Sequence, residues 1–239
     1  MRKSIFHLRP KPMSAIAENL KRVQDRIDRA IHRSGQSADA VKLIVVTKTW
    51  PADVVQQVVD AGTWVLGESR VQEAQHKVPE VDGVVSWHLV GHLQRNKVKQ
   101  ALPLFDLIHS VDTLRLAKEI SRCAVRRNTP TRVLVQVNTS GETSKFGISP
   151  NAALDLVAQV DDLQGVSVTG LMTIGAFDPD PETARPNFVL LRQIRDRIAI
   201  HKPHVSALSM GMTSDFEVAI EEGATMVRVG TAIFGQRAV

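Results

Sequence analysis

The strongest constraint on this chain is a rhythm. Eight short runs rich in β-branched and apolar residues recur along 239 residues, at 43–47, 64–67, 86–91, 107–111, 132–138, 166–172, 205–210 and 226–230. Amphipathic stretches at 51–61, 112–127, 150–160, 183–200 and 214–222 separate many of them, with Asp112, Ser149 and Thr213 or Ser214 placed to cap helices. The apolar runs lack strict alternation, as parallel strands do when helices cover their outer face. Eight β/α units after a leading helix at 14–34 predict an α/β fold: a single-domain (β/α)8 TIM barrel with an extra N-terminal helix. A doubly wound open sheet is the competing architecture. No linker marks a second domain, so the expected barrel runs over 13–239.

Composition narrows the function classes. The net charge of +5 would suggest a nucleic-acid or membrane surface if it were spread over the body. Instead, residues 1–33 carry nine Lys/Arg against Glu18, Asp25 and Asp28, which leaves 21 basic and 22 acidic residues elsewhere. The body is balanced, so neither nucleic acid nor membrane is an expected partner. Cys123 is the only cysteine and has no intramolecular partner for a disulfide, and no apolar run is long enough to span a bilayer. A cytoplasmic setting fits both. The basic segment 1–12 contains two prolines and reads as a disordered tail, with Met13 an alternative start.

On a (β/α)8 barrel the chemistry sits at the C-terminal ends of the strands. Lys48 closes the run "LIVVTK" there, either as a solvated strand end or as a placed amine. The C-terminal segment bears on that choice. Strand 7 ends in Ser209-Met210-Gly211-Met212 and strand 8 in Gly230-Thr231, and barrels commonly bind phosphate with these two loops. Glycine lets the backbone approach an anion, and the Ser209 and Thr231 hydroxyls can donate to it. A lysine and an anion cup on one rim suit an aldehyde with a phosphate arm, and pyridoxal 5′-phosphate (PLP) is such a ligand. Arg228 alternates inward with Gly230 and is in reach of a pyridine nitrogen.

The segments "VVTKTWP", "LGESRVQEA", "WHLVGHLQRNKVK", "IHSVDTLRLAKEI", "VLVQVNTSGETSKFGI", "GLMTIG" and "LSMGMTSDFEVAIEEGATMVRVGTAIFGQR" resemble the pyridoxal phosphate homeostasis (YggS/PROSC) family, in order over residues 14 to 237. The resemblance implies a barrel similar to the N-terminal domain of alanine racemase, with PLP held as an imine on Lys48. It implies Ser209, Met210, Gly211, Gly230 and Thr231 about the phosphate, Arg228 at the ring nitrogen, and a contribution from the stretch after strand 2. Ser69 stands there where many relatives carry Asn, and Trp50 stands where some carry a second lysine.

Further expectations concern mechanism. A lysine amine with an ordinary pKa near ~10.4 attacks an aldehyde well only when desolvated or depressed, which an inward position near Arg228 would favour. An arginine opposite the ring nitrogen can only donate, so the pyridine stays unprotonated and is a weaker electron sink. Racemisation on the alanine-racemase scaffold also needs a tyrosine from a second domain; this sequence has no tyrosine, and only four residues follow Gly235. The expected role is therefore a PLP carrier, monomeric or weakly dimeric, that buffers the cofactor or delivers it to apo PLP-dependent enzymes without efficient catalysis of its own. The alternatives are a racemase-like PLP enzyme and a PLP-free lysine-imine aldolase. Lys145, on the loop after strand 5, is a possible secondary PLP contact. His88 and His92 share a face of an extended strand but lack a third ligand, so no metal is expected. "HLQRNKVKQ" reads as a solvated helix face.

Overall fold

A computed structural model describes residues 14–236. The expected basic tail 1–12, the alternative start Met13 and residues 237–239 lie outside the described residues. Eight parallel strands close into a barrel in sequence order, with β8 pairing back to β1. They are β1 (Lys42–Val46), β2 (Val65–Glu68), β3 (Ser86–Leu89), β4 (Leu107–Val111), β5 (Thr131–Gln136), β6 (Val166–Met172), β7 (Ala207–Ser209) and β8 (Met226–Val229). Closure removes the sheet edges that an open doubly wound fold would leave.

The helices are α1 (Ala15–Ser34), α2 (Ala52–Asp60), α3 (Val71–Lys77), α4 (Val98–Ala101), α5 (Leu114–Arg127), α6 (Ala153–Asp161), α7 (Arg185–Ala199), α8 (Phe216–Glu221) and α9 (Thr231–Phe234). The extra helix α1 opens with Ser14, whose side chain accepts from the Ala17 N–H, and ends at Gly35 in the left-handed region. Its buried stripe of Leu20, Val23, Ile27 and Ile31 packs against α8 and α9. Arg26 fastens the same face, pairing with Glu217 at 2.7 Å above the Phe216 ring.

Three expected caps are corrected. Thr113, not Asp112, caps α5, because its Oγ1 accepts from Leu116 N–H at 3.2 Å. Ser149 precedes a 3-10 turn at Pro150–Ala152 without a side-chain cap bond. Helix α8 begins after Asp215, which leaves Thr213 and Ser214 in the preceding loop.

Two apolar layers result. The large one lies between barrel and helices; the smaller, formed by Leu107, Leu134 and Met172, plugs the barrel. A Cβ added at Gly67 would meet Ile44, Val46 and Val90 side chains, so these share the barrel interior. Alternation then sends Thr47 and Glu68 outward toward the helices and Lys48 inward at the rim.

Candidate functional site

One cavity of about 480 Å³ opens at the C-terminal ends of the strands. Each strand-end segment places its part. Lys48 lies two residues past β1, in a turn closed by Trp50 N–H donating to the Thr47 carbonyl at 3.1 Å. Ser69 follows β2, Gly91 follows β3, Ile174 follows β6, Met212–Ser214 follow β7, and Gly230 and Thr231 follow β8. Five expected site residues therefore meet in one lining: Lys48, Ser69, Arg228, Gly230 and Thr231. The Lys48 side chain is exposed at the mouth rather than desolvated.

The other expected residues sit elsewhere. Ser209, Met210 and Gly211 are buried and do not line the cavity. Met210 belongs to the outer apolar layer, and Gly211 adopts φ +89°, where an added Cβ would also strike Ala219 at 2.6 Å. Lys145 is not among the lining residues: its ammonium bonds Glu142 at 2.6 Å and, next to the lining residue Ile174, the Gly175 carbonyl at 2.7 Å.

Arg228 is the cavity's buried charge, only 4% exposed. Its guanidinium donates to Ser209 Oγ at 2.6 Å and to the Thr173 carbonyl at 2.7 Å. Two of its five N–H donors are thereby used, and the group has no ion-pair partner among the described residues. Burial pulls its pKa down to about 10, against the attraction of Asp215, so it stays charged at neutral pH.

Behind it runs a chain of neutral groups. His109 Nδ1 lies 2.9 Å from Ser209 Oγ, and His109 Nε2 lies 3.0 Å from His88 Nδ1. Burial holds His88 down to about 4, and it pushes His109 well below the ordinary imidazole range, aided by the repulsion a proton on His109 would meet from a protonated His88 and from Arg228. Both rings are neutral, so the chain supplies oriented dipoles to Arg228 without cancelling its charge.

Sequence reasoning paired the wrong histidines. His92 leaves β3 and stacks on Phe146, with ring centroids 4.0 Å apart, whereas His88 faces His109. No cluster of three metal-ligating side chains occurs among the described residues. Sequence reasoning also missed Gly91, Thr213, Ser214, Ile174 and Phe177 as lining residues. Gly91 alone carried a readable signal: a Cβ there would fall 2.2 Å from the Ser69 carbonyl oxygen, so only glycine lets β2 and β3 leave the barrel side by side. Trp50 walls the cavity and stacks on Phe234 at 5.2 Å.

Residues 13–238 match the family model "Alanine racemase, N-terminal domain". The chain is 43% identical over 225 residues to the pyridoxal phosphate homeostasis protein of Aquifex aeolicus, covering 92% of this chain and 97% of that protein. It is 40% identical over 232 residues to the protein of the same name from Escherichia coli K12, covering 94% and 98%. Among solved structures, PipY of Synechococcus elongatus with PLP bound superposes with a TM-score of 0.80 at 33% identity, covering 92% of this chain and all of that one. Alanine racemase of Clostridium difficile shares the fold alone, with a TM-score of 0.74 at 16% identity over 57% of its length.

Proposed function

The chain belongs to the pyridoxal phosphate homeostasis protein family, and from that membership we propose that it binds PLP in the rim cavity, with Lys48 as the residue that holds the cofactor in a Schiff base, and serves PLP homeostasis. The observation that carries the reading is the lining itself. Lys48 offers the amine, Arg228 a buried cation with unused donors, and Ser69, Thr213, Ser214 and Thr231 hydroxyls around an apolar wall of Val46, Val90 and Ile174. The volume falls within the range of about 300–1,000 Å³ usual for small-ligand pockets. When bound, PLP supplies an aldehyde for the amine and a conjugated ring able to withdraw electrons.

This chain's own residues restrict the chemistry open to such a site. Arg228 can donate to a ring nitrogen but never hands over its proton at neutral pH, so the ring's electron demand stays low. The described lining holds no carboxylate, imidazole, phenol or thiol. A proton removed on the Lys48 side therefore meets no positioned donor opposite, and general acid–base assistance of about 10²–10⁴ is lost. We infer a carrier that buffers PLP or delivers it to apo-enzymes in the cytosol, without efficient turnover of its own.

Two measurements test this reading. Titration with PLP should produce an absorption band near the visible edge that a sugar phosphate does not produce. Alanine racemisation should stay far below the roughly 1 s⁻¹ of ordinary enzymes; Lys48-dependent turnover at that rate contradicts the carrier role.

A further inference from the structure

Behind the Lys48 turn, on the outward side of the barrel wall, lies a cluster that the cavity does not use. Glu68 is fully buried and Lys77, from α3, is 5% exposed. Lys77 Nζ donates to Glu68 Oε1 at 2.5 Å, to Glu73 Oε1 at 2.8 Å and to the Thr47 carbonyl at 2.8 Å. Thr47 Oγ1 adds a bond to Glu68 Oε1 at 2.6 Å, while Glu68 Oε2 is buried without a partner. Burial raises the Glu68 pKa against the pull of Lys77 and Thr47. Buried ion clusters of this kind add little net stability, so the consequence of this one is geometric.

The geometry converges on the two residues flanking Lys48. Lys77 grips the carbonyl of Thr47, and Glu73 Oε1 accepts the backbone N–H of Thr49. Thr49 has φ +69°, one of two non-glycine residues in the left-handed region among those described, and it is β-branched, which makes that conformation costly. Asn128, the other, ends a helix, where left-handed residues are common. Thr49 has no such setting: it is held there by Glu73.

We propose that Lys77, Glu68 and Glu73 form a positioning clamp that keeps Thr49 left-handed and thereby aims the Lys48 amine into the cavity; the inference rests on Lys48 being the residue that links to PLP. The linkage joins Lys48 Nζ to the aldehyde carbon and expels the carbonyl oxygen as water together with the two amine protons. The clamp touches none of these atoms. It fixes the Cα from which the amine reaches, while the proposed phosphate contact at Thr231 is left to the segment after β8.

The test separates linkage from binding. Glu73 is half-buried on a helix surface, so Glu73→Ala should fold normally by circular dichroism. Borohydride trapping of PLP followed by intact mass should show the Lys48 adduct forming more slowly by roughly tenfold, the factor equal to about 1.4 kcal/mol. Affinity for pyridoxine 5′-phosphate, which has an alcohol in place of the aldehyde, should stay within about twofold. Glu73→Gln keeps an acceptor for the Thr49 N–H and should react like wild type. Adding Thr49→Gly to Glu73→Ala should restore most of the rate, because glycine adopts positive φ without strain. An unchanged adduct rate in Glu73→Ala, or a rate that falls in step with affinity for the alcohol, overturns the clamp. Absence of any Lys48 adduct in the wild type would instead overturn the PLP reading beneath it.

Discussion

The two ends of the barrel both carry cavities, and the larger one is at the wrong end for chemistry. At the N-terminal face a space of about 810 Å³ lies between α1 and the starts of β1 and β2, edged by Lys21, Lys42, Asp25, Asp39 and Asp60 and by the exposed Trp64. Its charges are mixed, and among the described residues no buried polar side chain lines it. The smaller cavity at the C-terminal rim has at its floor a buried guanidinium without an ion-pair partner among the described residues, backed by a hydrogen-bonded chain through the barrel. Convergence of oriented groups separates a site from a groove, and volume does not.

The sharpest way to probe that contrast is acid. His88, the inner end of the Arg228 chain, is packed among His109 and the charges of Lys42, Asp106 and Arg132, and burial lowers it from 6.5 to about 4. Between those values the unfolded chain takes up a proton that the folded protein refuses, so stability falls as pH drops through the window. The full shift corresponds to about 3 kcal/mol. Urea unfolding of wild type and His88→Gln should show the wild type losing about that much relative to the variant from about pH 7 to about pH 4. A difference independent of pH would mean that His88 is not held neutral.

A smaller effect is expected at the mouth. Thr231→Val removes a hydroxyl donor from the proposed anion cup, worth roughly 1.5–3 kcal/mol toward a charged acceptor. PLP affinity should fall by about one to two decades, while affinity for unphosphorylated pyridoxal holds. Equal losses for both ligands would place the phosphate elsewhere. The smallest effect belongs to the opposite end, where Trp64→Ser should change neither PLP affinity nor stability by more than about 0.5 kcal/mol. A clear loss of PLP affinity there would erase the distinction between the two ends.

The sequence exposes most of this architecture because barrel strands are short, apolar and rhythmic. All eight expected strands form, displaced by a residue or two at their ends. Helix α3 escaped notice because seven residues are too few to show a 3.6-residue period, whereas α4 begins inside the stretch 92–100 that reads as a helix face. The rim residues Lys48, Gly230 and Thr231 were legible because chemistry on this fold collects at strand ends. The Ser209 hydroxyl lies at the expected strand end, and what the sequence does not reveal is its bonding to Arg228 and His109. The His88–His109 bond joins residues that nothing in their linear spacing relates, because it depends on the stagger between β3 and β4.

The proposed attachment of PLP to Lys48 is tested most directly by borohydride reduction of the PLP-treated protein followed by peptide mapping. A single reduced pyridoxyl adduct on Lys48, absent from a folded Lys48→Ala variant, is the expected result. An adduct carried mainly by Lys145, Lys77 or another lysine would contradict it.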